Sequence, residues 1–435
     1  MIDRGAAEAV LKYIREEEVS KLVMDLVSIP SPPGRERAVA EYILTWFQSH
    51  GIAARRQEIA GDRWDAVGVI RGSGGGKSLT FNGHMDTAFA GEEDDAVILG
   101  PEAGSPEYQP HAFVKEGRIY GQGVTNDKGS VAAFMTAGKA IAASGFKLEG
   151  DMFLAAVCGE IERAPVDEYR GVEYLGFGFG TNHLLAHGGG TDMAVVAEPC
   201  RSENSQFGVT WALPGGLYIK ISVYGRPLYA PYTRRESGQN AVATIARVID
   251  ALESWGATFE ERNHYEFENG VIVPKVNLGA IRGGLPYKPN YSPALCNLYV
   301  DIRVPPQLDP VSVVREVREV LDGLRLPYGY QVEVYRSQRG YHVPYERVSP
   351  IVGALQEAHA FLFNGGRMGK AISTANSTWN DLNLYSERGM AGVKCGVLPG
   401  PELSGKERLS LRPKDLADLA RLYALATLQL CDLSH

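Results

Sequence analysis

The chain has 435 residues, 44% apolar and 22% charged, with 44 Lys and Arg against 52 Asp and Glu for a net charge of −8. This is globular composition, long enough for two domains with large cores, and its acidic balance argues against a nucleic-acid binder. Five cysteines lie far apart in sequence, which excludes a paired-cysteine zinc module or disulfide scaffold and suits a reducing cytosol. The opening Met1-Ile2-Asp3-Arg4 has no apolar leader, and no apolar run reaches the roughly 18 residues that span a membrane. A cytoplasmic protein with no membrane partner is expected.

Helical periodicity runs through residues 6–28, with Val10, Leu11, Ile14, Val19, Leu22 and Leu26 on related faces. Ser31-Pro32-Pro33-Gly34 interrupts it, and a second amphipathic helix runs to about His50. Ala66–Ile70 and Ser78–Asn82 read as two strands of a hairpin around Gly72-Ser73-Gly74-Gly75-Gly76. That turn is not a phosphate-binding loop, because the pattern needs glycine six residues before Lys77 and position 71 is Arg. Gly129 to about Ala143 reads as a helix, and Met152–Cys158 and Met193–Ala197 as strands. Strands alternating with helices predict a layered α/β core. The pattern shifts near residue 215: strand Leu217–Tyr224, helix Ala241–Trp255, strand Leu295–Val304, helix Val311–Leu324. A smaller α+β domain, residues 215–330, is therefore expected inside a larger one formed by 1–214 and 331–435.

Four segments place polar residues directly after apolar strands: Asn82-Gly83-His84-Met85-Asp86-Thr87, the stretch Gly121 to Gly129 containing Asn126-Asp127-Lys128, Cys158-Gly159-Glu160-Ile161-Glu162, and Ala197-Glu198-Pro199. Ligands of open α/β sheets collect at the carboxyl ends of the strands. His84, Asp86, Asp127, Glu160 and Glu198 are thus expected to converge, and one imidazole with carboxylates suits Zn²⁺, Mn²⁺ or a related ion.

The order and spacing of these residues resemble the M20 metallopeptidase and aminoacylase family, which includes acetylornithine deacetylase, succinyl-diaminopimelate desuccinylase and carboxypeptidase G2. The likeness takes in Ser31-Pro32-Pro33-Gly34, Asp127-Lys128-Gly129, Ala197-Glu198-Pro199, Gly225-Arg226, Gln239-Asn240-Ala241, Asp301-Ile302-Arg303, Asp381 and Cys395-Gly396-Val397-Leu398-Pro399-Gly400. It implies a zinc-peptidase-like α/β catalytic domain with an inserted lid domain that often dimerises, so a homodimer or higher homo-oligomer is expected. It implies that His84, Asp127 and Glu198 are metal ligands, that Asp86 orients the His84 ring, and that Glu160 is the general base.

The chain departs from the family at three places. Ile161 stands where the family has a second glutamate, a ligand of the second metal. No histidine lies between His359 and His435, so the family's late ligand is missing. Tyr229 stands near the lid histidine that polarises the scissile carbonyl; it either donates a hydrogen bond to a developing anion or packs. Glu162 is an alternative ligand, since i and i+2 share a strand face. One labile divalent transition metal ion, manganese or zinc, is expected as cofactor, with a small-molecule substrate. The expected activity is hydrolysis of a C–N bond in a small carboxylate-bearing compound. The degenerate site is similar to that of 5-nitroanthranilic acid aminohydrolase, which deaminates an aminoarene. The alternatives are a conventional M20 aminoacylase or dipeptidase and a non-catalytic binding relative. Candidate substrate residues are Tyr229, Arg234 and Arg303 (with Arg235, a carboxylate clamp), Asn240, which has a helix-capping alternative, and Ser377 and Asn380 in the hydrogen-bonding stretch 373–381. Trp379 and Tyr385 either stack on a substrate ring or belong to the core.

Overall fold

A computed structural model describes residues 2–232, 234 and 239–432. The expected arginine at 235 lies outside them. The chain divides into two compact units, one of residues 1–211, 343–375 and 380–435, the other of 212–342 and 376–379. The second unit extends past the expected boundary at 330 because the strand Tyr330–Ser337 pairs with Gly215–Tyr224.

The first unit is built on a seven-stranded sheet in the order Ala53–Ala60, Arg63–Ile70, Met152–Val157, Leu79–His84, Met193–Val196, Ala391–Val397, Phe207–Thr210. Its four central strands are parallel, and the strands outside them run antiparallel. Central strands such as Leu79–His84 and Met193–Val196 are buried throughout, as parallel strands covered on both faces must be. The helix Pro413–Leu430 packs against Gly129–Ser144 and Tyr345–Leu362.

Several expectations change. The helix expected over 6–28 is two helices, Arg4–Leu11 and Glu16–Val27, with a turn between them that keeps Ile14 buried beside Val10. The expected hairpin is not one: Met152–Val157 lies between Arg63–Ile70 and Leu79–His84. The glycines serve close packing instead. A Cβ on Gly72 would collide with the Glu149 carbonyl oxygen, and one on Gly76 would stand 2.5 Å from the Gly150 nitrogen. The edge strand Ala53–Ala60 has no apolar alternation to betray it; its run of Arg55, Arg56 and Glu58 is the charged pattern that protects an open edge.

The second unit is an antiparallel sheet, order Lys275–Gly283, Leu295–Val304, Gly215–Tyr224, Tyr330–Ser337, with helices Ala241–Arg262 and Pro310–Gly323 sharing its core. The first helix outruns its expected end at Trp255, because Phe259 is buried and Gly256 admits Val276 within 3.2 Å of where a Cβ would sit. All five cysteines are free and buried. Among the described residues no helix is long and apolar enough to cross a membrane.

One buried charge ties the first unit together. Arg63 has a fully buried side chain that meets the equally buried Glu36 at 2.6 Å and donates to the Val172 carbonyl at 2.8 Å and to the Leu175 carbonyl. Gly159, at φ +67°, lies against the same guanidinium, which would collide with a Cβ at that position; only glycine fits that backbone and that contact. Removing one partner of a buried pair strands the other charge, so Arg63→Met should cost about 3–5 kcal/mol, read as a lowered urea midpoint of the first unit. An unchanged midpoint would refute this role.

Candidate metal centre

The parallel strands end level with one another. His84 closes its strand opposite Val157, and Asn82 lies opposite Val196, so the residues just beyond Val157 and Val196 flank His84. Those residues include Glu160 and Glu198. Ligand atoms of His84, Glu160 and Glu198 lie within 4.8 Å of one another, and among the described residues this is the one group of three or more such side chains so close. All three are buried.

The ring of His84 is set by its own turn. Its Nδ1 lies 2.8 Å from the Asp86 backbone carbonyl oxygen and 3.5 Å from the Asp86 carboxylate. The closer partner is the main-chain carbonyl, and the Asp86 carboxylate stands just behind it on the same ring nitrogen. An Nδ1–H donating to that carbonyl leaves Nε2 as the free lone pair. Nε2 stands 3.6 Å from Glu160, 3.5 Å from Glu198 and 3.3 Å from Asn126 Oδ1. The Asp86 carboxylate also accepts the backbone N–H groups of Glu160 at 3.1 Å and Ile161 at 3.0 Å. It thereby fixes the loop that carries Glu160.

Asp127 is not one of the close trio. It is fully buried, follows a cis peptide after Asn126, and points its Oδ2 to within 2.8 Å of where a Gly83 Cβ would be. Neither carboxylate oxygen has a hydrogen-bond partner. Next to it, the buried Lys128 ammonium donates to the Leu26 and Ile29 carbonyls at 2.9 and 2.7 Å, anchoring this loop to the preceding helix.

The electrostatics call for a cation. Burial and then the Glu198 charge push the carboxyls of Asp127 and Glu160 well above the usual range. Burial raises Glu198 as well, against the opposing pull of His84 and Lys394. Burial disfavours a charged His84, yet Glu160, Asp86 and Glu198 outweigh it and hold the imidazole well above its ordinary value. Too many carboxylates share too little positive charge, and a divalent ion corrects that imbalance. A buried imidazole, two converging carboxylates and the buried Asp127 carboxylate fit such an ion.

The other candidates have surroundings of their own. Glu162 is exposed and outside the trio. Asn240 caps the helix Ala241–Arg262 by accepting from Val242 and Ala243 at 2.9 and 3.2 Å, a bond worth about 1 kcal/mol. Arg303 pairs with Asp301 at 3.1 Å, Ser377 accepts from the Val273 N–H at 2.8 Å, and Arg234 is exposed. Tyr229 sits among Tyr232 and Tyr291, ring centroids 5.1 and 5.4 Å away. These five belong to the second unit. Asn380, in the first, is buried and accepts from Leu382 N–H at 3.0 Å. Trp379 and Tyr385 are core residues, 3% and 0% exposed.

Sequence reasoning gave no role to Asn126, and placed Asp381 in the family likeness and the stretch 373–381 without a role of its own. Asn126 was visible only as a neighbour of Asp127. Asp381 is buried, takes a 2.5 Å hydrogen bond from Thr181, and is pushed up to about 7 by burial, with the Glu198 charge adding to the shift. Nothing in its local sequence signals that setting.

A parallel sheet whose strand ends gather such donors has the layout of a zinc-peptidase-like catalytic domain. The profile of peptidase family M20/M25/M40 matches residues 80–429, and the chain belongs to that family. It is 28% identical over 341 residues to an N-formyl-4-amino-5-aminomethyl-2-methylpyrimidine deformylase of Halalkalibacterium halodurans, covering 74% of this chain and 71% of the relative. A dipeptidase of Saccharomyces cerevisiae shares the fold with a TM-score of 0.71 at 12% identity, covering 98% of each chain. A dinuclear metal-binding M20 peptidase of Bacillus subtilis does so at 0.61 and 14%, covering 95% of this chain and 98% of that one. The protein is a metal-dependent hydrolase acting on carbon–nitrogen bonds. The expected aminoarene substrate finds no support in these relatives.

Asp86→Ala removes the acceptor for two N–H groups beside the trio. Supporting residues of metal sites are worth about 10–100-fold in affinity, so this variant should release its ion to a competing chelator at correspondingly lower concentration. Wild-type retention would show that Asp86 does not shape the centre.

Proposed function

We propose that this chain hydrolyses an amide-type C–N bond of a small molecule, using one zinc or manganese ion bound by His84, Asp127 and Glu198, with Glu160 as general base. The observation that carries this reading is the buried convergence of His84, Glu160 and Glu198 within 4.8 Å. The single-ion count is supported by Ile161, half-buried and unable to coordinate, where a second glutamate would be needed. Catalysis belongs to the first unit, which contains all these residues.

A divalent ion held there supplies a Lewis acid, acidifying water and polarising a carbonyl. The protein's own residues do the rest. Asp86, through the N–H groups of Glu160 and Ile161, keeps the Glu160 carboxylate at the edge of the cluster. Glu160 takes the proton from the attacking water and returns it to the leaving nitrogen.

Metal analysis after saturation and desalting should find one ion per chain; two tightly held ions would overturn the count. Glu160→Gln should lower turnover of an N-formyl or N-acyl amine by about 10²–10⁴-fold while the ion is retained. Full activity in that variant would dismiss Glu160 as the base, and ammonia release from aminobenzoates without amide cleavage would dismiss the bond type.

A further inference from the structure

We infer that the side-chain amide oxygen of Asn126 is a further ligand of the ion that His84 and Glu198 hold, a neutral donor set beside carboxylates. The inference rests on the metal reading above and on nothing assigned to Glu160.

Three oxygens surround His84 Nε2, the ring nitrogen left over once Nδ1 has turned to the Asp86 carbonyl. Asn126 Oδ1 is the nearest at 3.3 Å, with Glu198 at 3.5 Å and Glu160 at 3.6 Å. An ion bound tetrahedrally to nitrogen and oxygen at about 2.1 Å sets neighbouring ligands about 3.4 Å apart. The amide oxygen meets that spacing as well as either carboxylate does. It carries no charge, yet its lone pairs coordinate cations as other carbonyl oxygens do.

The local chain explains how residue 126 reaches the ring nitrogen. Val124–Lys128 is a tight helical turn, and Asn126 breaks it at φ −142°, ψ 94°. The turn is fixed on both sides of that break. The Val124 N–H donates to the Gly121 carbonyl at 3.1 Å and the Lys128 N–H to the Gly123 carbonyl at 2.9 Å. The Lys128 ammonium is tied to Leu26 and Ile29. Asp127 is buried with Oδ2 directed at Gly83, whereas Asn126 is exposed and stands against His84.

A neutral donor suits this position. Asp86, Asp127, Glu160 and Glu198 are all buried and repel one another. An uncharged oxygen adds a bond to the ion without adding to that repulsion. Because Asn126 is exposed, changing it leaves the core packing untouched.

The test uses the full chain and two readouts other than turnover: Zn²⁺ competition with a chelating dye, and visible absorption of the Co²⁺-loaded protein. Asn126→Ala should lower Zn²⁺ affinity by at least the roughly 10–100-fold that supporting residues of metal sites are worth, and should shift the Co²⁺ bands. Asn126→Asp, which keeps the shape and adds a charge, should bind Zn²⁺ more tightly than the wild type. Wild-type affinity and an unchanged Co²⁺ spectrum in Asn126→Ala would overturn the inference. Tighter binding in Asn126→Ala would overturn it too, since the amide would then be donating its NH₂ to Nε2 and competing with the ion. His84→Ala separates the two readings. If it loses the ion while Asn126→Ala does not, only this inference fails; if it binds like the wild type, the metal reading fails and takes this inference with it.

Discussion

A surplus of buried negative charge around one imidazole governs this molecule. Asp86, Glu160 and Glu198 lie in the loops that follow central strands, Asp127 lies in the turn leading into the helix Gly129–Ser144, and all four are buried. Water cannot screen them there, so each raises the free energy of its neighbours' ionised forms. His84 offsets part of the surplus, and Lys394 part of what Glu198 carries. The remainder is a demand for a cation, and the sheet, the loops and the buried arginine are arranged so that the demand is met at one point.

That arrangement is mostly main chain. The His84 ring is turned by a carbonyl two residues away, and Glu160 is held by the two N–H groups that Asp86 accepts. Arg63 braces the same loop from beneath, pressing on Gly159 while binding Glu36 and the carbonyls of 172 and 175. A backbone-held site loses little side-chain entropy on binding an ion and keeps its shape when the surface moves.

The parallel core was legible because its strands are continuous apolar runs that end in polar residues, and the convergence of His84, Glu160 and Glu198 followed from that alone. What was illegible depended on long-range pairing. Nothing near Gly72–Gly76 reveals that another strand intervenes, since periodicity reports a strand's faces and not its neighbours. The helix-capping reading of Asn240 was legible in its place before Ala241, whereas the bonds from Asp86 to the N–H groups of Glu160 and Ile161 were not, because they join residues some 75 positions apart. Arg63, a fully buried cation, looked like an ordinary charged residue at the start of a strand, because its partners come from 27 to more than 100 residues away.

Gly83 places a different kind of demand on the chain. The Asp127 carboxylate occupies space that any Cβ at position 83 would claim. A candidate metal ligand on one loop thus owes its place to atoms that a neighbouring strand does not have. Selection on such a position acts through volume alone. The residue offers no donor beyond its backbone, and its chemical plainness is what leaves the site its room.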